Sequence, residues 1–305
     1  MFPIIPANSV AEESGNSEGI FGYGYTTASA YTAVSNLVSN AGVVATDTAG
    51  VGTARVYLAA CEYGGDKAIF GFGDDGGFTA VTNLVSNAGV VATDTAGVGT
   101  ARGEIPGACG YGGDKGIFGF GHYSGGRAGM TNLVSNVGVV ATDTAAVGTA
   151  RYGPGATQYG GDKGIFAFGC DVGGGTITAV SNLVSNVGVV ATDTAGVGTA
   201  KALLAACSYG GDKGIMAYGD NWSTLVATSN LISNAGVVAT DTAGVGTARR
   251  YMAACEYGQD KGIFGFGSTP SYTAITNLVS NAGVIASDTA GVTAGRMGPA
   301  ACSFN

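Results

Sequence analysis

Charge, histidine and tryptophan are scarce in this chain. Of 305 residues 11% are charged, one is histidine and one is tryptophan. The 13 Lys and Arg against 21 Asp and Glu give a net charge of −8. A basic surface, on which phosphate-backbone binding depends, is therefore missing, and no nucleic-acid partner is expected. His122 alone cannot build a histidine metal cluster, and the six cysteines lack the close spacing of a thiolate site, so neither metal nor cofactor is expected. Residues 19–46 carry no charge, but Ser, Thr and Asn interrupt the stretch, so no membrane insertion is expected. The start, Met1-Phe2-Pro3-Ile4-Ile5-Pro6-Ala7, has neither a basic region nor a continuous apolar core, and a signal peptide is not expected.

What the chain does have is glycine, 56 residues of it, arranged in six copies of one repeat. An apolar anchor recurs at Ile20-Phe21-Gly22, Ile69-Phe70-Gly71, Ile117-Phe118-Gly119, Ile165-Phe166-Ala167, Ile215-Met216-Ala217 and Ile263-Phe264-Gly265, its isoleucines 48 to 50 residues apart. Between anchors lies a nearly verbatim block that begins at Asn36 and runs to Asp47-Thr48, then a glycine-rich segment ending at Arg55. A period of this length marks a solenoid, an array or a propeller. The ends decide among these: Ala300-Ala301-Cys302 repeats Ala253-Ala254-Cys255, while Gly19-Ile20 repeats Gly262-Ile263, so six whole copies exist only if the termini meet. An open solenoid would carry atypical polar caps. The expected fold is all-β, a six-bladed β-propeller of four-stranded blades over residues 18–305, closed by pairing of the N- and C-terminal strands. Residues 1–17 precede it as a possible docking arm.

Within a blade, small residues such as Leu58-Ala59-Ala60-Cys61 suit the crowded innermost strand, and Gly64-Gly65-Asp66-Lys67 reads as a hairpin turn. Simple alternation places Phe70 and Phe72 on one face of the second strand and Ile69, Gly71 and Gly73 on the other. A third strand is expected over about 33–38 and a fourth through Val43, Val44 and Ala45. Cys61, Cys109, Cys207, Cys255 and Cys302 share one repeat position, Thr157 takes it in the remaining copy, and Cys170 lies elsewhere; the cysteines of the repeat position are expected as buried free thiols, with Cys170 the one open to reaction if any is. The repeated Asp47 and Arg55 with their counterparts read as structural pairs or turn caps, since charges beside packed sheet need partners.

The order of Arg55, small-residue strand, then Lys67-Ala68-Ile69-Phe70-Gly71-Phe72-Gly73 resembles a kelch repeat over about half of each copy. The runs Tyr63-Gly64-Gly65-Asp66-Lys67-Ala68-Ile69-Phe70-Gly71 and Asn36-Leu37-Val38-Ser39-Asn40-Ala41-Gly42-Val43-Val44-Ala45-Thr46-Asp47-Thr48 resemble repetitive proteins of tailed phages, particularly marine and cyanobacterial ones. That resemblance covers residues 19–302 and implies a virion-associated role, with synthesis in the host cytoplasm.

The copies differ mainly after the Gly-Phe-Gly strand, as in Asp74-Asp75, His122-Tyr123, Cys170-Asp171-Val172 and Asp220-Asn221-Trp222, and just after the Arg, as in Gly103-Glu104-Ile105-Pro106. Both connections emerge at one end of a four-stranded meander. Loops held by a rigid scaffold are the usual place for binding, which makes Trp222, Tyr123, Asp220, Asp171, Asp74 and Tyr272 the candidate ligand-binding residues. The loop carboxylates could in principle serve a glycosidase or calcium, but no catalytic constellation can be assembled around the lone His122. A non-enzymatic virion structural or receptor-binding protein is expected, such as a tail-fibre component, with other virion proteins or a host-surface glycan as partner. A free lectin-like carbohydrate-binding propeller is the alternative, and a glycoside hydrolase a more distant one.

Overall fold

The computed structural model describes residues 17–171 and 175–304. Apart from Ser17, the expected arm lies outside the described residues, as do Val172 and Asn305. The described chain is all-β, built of small antiparallel sheets with no helix among the described residues, and none of the sheets closes into a barrel. Five three-stranded sheets follow one another: Ala59–Tyr63, Lys67–Gly71 and Thr82–Val85; Gly107–Tyr111, Lys115–Gly119 and Thr131–Val134; Gly155–Tyr159, Lys163–Ala167 and Ser181–Val184; Ala205–Tyr209, Lys213–Ala217 and Ser229–Ile232; Ala253–Tyr257, Lys261–Gly265 and Thr276–Val279. The sixth joins the two ends of the chain: Ala300–Phe304 pairs antiparallel with Glu18–Thr26, which pairs with Tyr31–Val38. In each sheet the first strand named is here called inner, the second middle and the third outer.

Each inner strand packs against the inner strands of two other sheets, and the order is cyclic: 59–63, 107–111, 155–159, 205–209, 253–257, 300–304 and back to 59–63. The core is correspondingly divided into clusters lying between neighbouring sheets. Phe70, Ala68 and Leu58 meet Ile20, Tyr23, Cys302 and Phe304 on one side of their sheet, while Cys61, Ile69 and Phe72 meet Phe118 and Val134 on the other. The ring of Phe118 covers Gly71, where any Cβ would come within 2.9 Å of it. Phe70 covers Gly22 in the same way, so the glycine-aromatic alternation is the packing code between sheets.

Two sequence expectations fail here for physical reasons. Phe70 and Phe72 face opposite neighbours, because Phe72 follows the end of the strand at φ 64°, a left-handed conformation that turns its side chain over. Phe120, Phe168, Tyr218 and Phe266 repeat that φ within a degree or two. The fourth strand is not a continuous ladder. It touches the outer strand at Val38–Val44 and at Ser35–Thr48, which leaves one extra residue on the fourth segment, the geometry of a bulge. The amide of Asn36 fills the gap, donating to Ala45 O at 3.0 Å and Asp47 Oδ1 at 2.8 Å.

The arginine after each glycine-rich segment is buried between two sheets. Arg55 lies over the Tyr23 ring at 4.4 Å and donates to Phe72 O at 2.9 Å, Thr53 O at 3.1 Å and Asn83 Oδ1 at 2.7 Å. Its acidic neighbour is Asp94 rather than Asp47. Asp94 accepts from Thr53 N and Oγ1 and from Asn83 Nδ2. The Asp and Arg of one copy therefore do not pair with each other; each meets the adjoining copy. The pattern runs through the termini, where Arg296 donates to Asn36 Oδ1 at 2.5 Å and lies 3.7 Å from Asp47.

Candidate functional site

Two ends of the assembly can be told apart. At the turn end lie the hairpins between inner and middle strands and those after the outer strands; Asn87, Asn136, Asn186, Asn234 and Asn281 of the latter donate to Asp66, Asp114, Asp162, Asp212 and Asp260 of the former. At the loop end lie the connections that vary between copies.

The six loop candidates are spread around the loop end rather than gathered into one pocket. Trp222 is 41% exposed, and its indole N–H donates to Gly175 O at 2.5 Å. Asp220 is buried beneath it: Oδ1 accepts from Trp222 N at 2.7 Å and Oδ2 from Arg250 Nη1 at 2.6 Å. Its carboxylate thus shapes the loop instead of facing a ligand. Asp74 accepts from Gly76 N at 2.8 Å and from Tyr31 Oη at 3.4 Å. Tyr272 packs edge-on against Tyr25, which packs against Tyr31, forming an aromatic strip across the closing sheet. Tyr123 and Asp171 are half-buried on the two-residue strands His122–Tyr123 and Cys170–Asp171. His122 stands against Phe78 and Tyr152, with Nδ1 3.8 Å from Glu104 Oε2.

Below these loops a closed circuit of backbone hydrogen bonds surrounds the centre. Ile105 N donates to Tyr57 O, Gly153 N to Ile105 O, Leu203 N to Gly153 O, Tyr251 N to Leu203 O, Gly298 N to Tyr251 O and Tyr57 N to Gly298 O, over 2.8–3.2 Å. All six residues hold φ between 55° and 61°. For Tyr57, Ile105, Leu203 and Tyr251 that conformation costs roughly 1 kcal/mol or more each, and the circuit is what holds them there. Tyr57 and Tyr251 meet across Gly298 with ring centroids 5.0 Å apart.

A channel runs between the six inner strands. Alternation points Ala59, Cys61 and Tyr63 into the sheet interfaces and Ala60 and Glu62 toward the channel. Midway, all six strands leave a space of about 50 Å³. At the turn end it widens to about 280 Å³, lined by Glu62, Gln158, Ser208, Glu256 and turn residues including Asp212. Gly110 makes room, since Gln158 Oε1 and Glu62 Oε2 both converge over the place where its Cβ would stand. Glu256 is 8% exposed, and Ser208 Oγ donates to its Oε2 at 2.8 Å. Burial, reinforced by the charge of Glu62, pushes the Glu256 carboxyl up to about 8. Near neutral pH it is therefore mostly protonated and can donate as well as accept. No group of three or more metal-ligating side chains occurs among the described residues.

This polar mouth was missed by the sequence reading, although a signal was present. The fourth inner-strand residue is Glu62, Gly110, Gln158, Ser208, Glu256 or Ser303, while the flanking positions hardly change. The six cysteines are free and buried, and burial pushes five thiols, Cys61, Cys109, Cys207, Cys255 and Cys302, upward. No protein-family model matches the chain, and comparison with curated proteins finds no match.

Proposed function

We propose that residues 18–305 form a six-bladed, kelch-like β-propeller that acts as a non-enzymatic binding component of a tailed-phage virion, recognising a host-surface glycan or another virion protein through its loop end. The cyclic order of the inner strands and the pairing of Glu18–Gly22 with Ala300–Phe304 support the propeller. The bulged fourth segment would be the outermost strand of each blade. The virion setting rests on the sequence resemblance alone.

The observation that carries the binding role is Trp222. Its indole is exposed, yet its N–H is tied to Gly175 and its loop is pinned through Asp220 to Arg250. An aromatic face fixed in advance binds a sugar ring or an apolar partner with little ordering cost. The Tyr25–Tyr31–Tyr272 strip offers a second surface of the same kind. The test is adsorption of purified protein to host cells and to immobilised host-surface polysaccharide. Trp222→Ala with Tyr272→Ala should weaken binding by about tenfold or more, equivalent to about 1.4 kcal/mol, with the unfolding temperature unchanged. Asp66→Ala and Asp114→Ala at the turn end should leave it intact. Binding lost only in the turn variants would remove the loop end from consideration.

A further inference from the structure

The channel mouth at the turn end holds acceptors without donors to match them. Two carboxyls stand in it, Glu62 and Glu256, and among the described residues no Lys or Arg lines the midsection or the mouth. Asp212 at the rim accepts from Lys213 and Asn234. Lys115 borders a side recess next to Glu62, and its amine donates to Asp114. Lys67, Lys163 and Lys261 are tied in the same way to the aspartate before them. The hairpins are thus self-neutralising, and the charge of the mouth comes from its two glutamates.

Carboxyls alone do not make a site; the placement of their neighbours does. Gln158 Nε2 donates to Gly161 O at 2.6 Å, which fixes the amide and turns Oε1 into the channel. That oxygen and Glu62 Oε2 lie 2.5 Å and 3.3 Å from the point where a Cβ on Gly110 would stand, so two acceptors share one unfilled space. Glu256 comes from the sheet opposite Gly110 in the cyclic order and borders both the midsection and the mouth. It is 8% exposed; Oε2 accepts from Ser208 Oγ, and Oε1 has no hydrogen-bond partner among the described residues. A buried carboxyl with one oxygen unbonded is costly to hold, and Ser208 and Ser303 show that the position does not demand one.

The chemistry of these oxygens selects the ligand. A primary ammonium brings three N–H donors, no acceptor and one positive charge, which complements Gln158 Oε1, Glu62 Oε2 and Glu256 Oε1. A metal ion is matched less well, since no group of three or more His, Cys, Asp or Glu side chains suited to one occurs among the described residues. A space of about 280 Å³ lies below the usual range for drug-sized ligands, which limits the molecule to a small one. We infer that the channel mouth binds a small free alkylamine in its ammonium form, the head group enclosed by Glu62, Gln158 and Glu256. The site is at the end opposite Trp222, so it stands or falls independently of glycan binding.

Calorimetric titration of the full chain with the four-carbon diamine putrescine tests it. One site per chain is expected. The corresponding diol, which lacks the charge, and tetramethylammonium, which lacks the N–H donors, should bind at least about tenfold more weakly. Burial holds the Glu256 proton up to about 8, with Glu62 and Asp260 as its charged neighbours and the protonated thiols of Cys207 and Cys255 beside it. An ammonium favours the charged carboxyl and so displaces that proton; affinity should rise by up to about tenfold per unit as pH increases from 6 toward 8, then level off. Glu256→Gln should remove this pH dependence and weaken binding at least about tenfold at pH 8 without lowering the unfolding temperature. Glu62→Gln should also weaken binding and move the pH midpoint downward, because a neighbouring negative charge is lost. Trp222→Ala should leave binding unchanged. Absence of saturable putrescine binding at millimolar concentrations, equal binding of either comparison compound, or binding that survives both glutamate substitutions would each overturn the inference.

Discussion

Glu256 weakens the fold as pH rises, and the size of that effect follows from its surroundings. In an unfolded chain its carboxyl titrates near 4.5; in the fold, burial and the nearby Glu62 raise it to about 8. The folded state therefore binds the proton more tightly, so stability is greatest below pH 4.5 and declines as pH rises toward 8. Between pH 5 and 8 the linkage amounts to at most about 4 kcal/mol, and because the side chain borders a channel that admits water, about 2 kcal/mol is the expected loss. Glu256→Gln keeps an acceptor for Ser208 Oγ and removes the charge. For a chain of this size the substitution should raise the unfolding temperature at pH 8 by about 4 °C while changing it little at pH 5. The aspartates of the Arg–Asn–Asp networks are shifted downward from 3.8, so their loss of stability falls below this window. Parallel unfolding curves for the two proteins between pH 5 and 8 would refute the reasoning.

Lys201 stands where the other copies have arginine; it reaches Thr228 O at 3.0 Å but leaves Asn230 Oδ1 without a hydrogen-bond partner among the described residues. Lys201→Arg should satisfy that oxygen and stabilise by about 1 kcal/mol, read as a rise in unfolding temperature of about 2–3 °C. Burial lowers the Lys201 amine to about 8, so in the unaltered protein stability should rise again as pH increases from about 8 toward 10.5, a limb that the arginine variant should lack. Native protein should resist a thiol reagent at all six cysteines, whereas denatured protein should react at six sites without reduction; modification of the native form would contradict their burial. Truncation before Ala300 removes the strand that pairs with Glu18–Gly22 and exposes that edge; cooperative loss of stability is expected, and an unchanged melting curve would argue against closure.

The inner, middle and outer strands were legible because alternation, glycine turns and repetition all act within one copy. The pairing of the two ends was legible too, since a split repeat leaves complementary remainders. What escaped depended on the backbone or on neighbouring copies. Phe72 looks like a continuing strand residue, and only its left-handed φ reveals that it faces the opposite neighbour from Phe70. Asp47 and Arg55 are close in sequence, yet their partners are Arg296 and Asp94, because each network spans an interface between copies. The depth of Asp220 below Trp222 comes from Arg250, contributed by the next sheet.

Divergence between copies has a physical limit that makes the remaining freedom informative. A side chain at Cys61, Ile69 or Phe70 touches an adjoining sheet, so a change there must be accommodated across an interface. The fourth inner-strand position borders the channel, and it is filled by Gly110 with no side chain, by Ser208 and Ser303 bonded to the neighbouring Glu256, or by Glu62 and Glu256 themselves. A carboxyl at Glu256 is the costlier choice, since it is buried beside another acid where serine serves elsewhere. Local rules of stability are broken mostly where a protein uses the position for something else. The loop end and the channel mouth are two places where this chain departs from its own repeat, and at the mouth the buried carboxyl of Glu256 makes that departure costly.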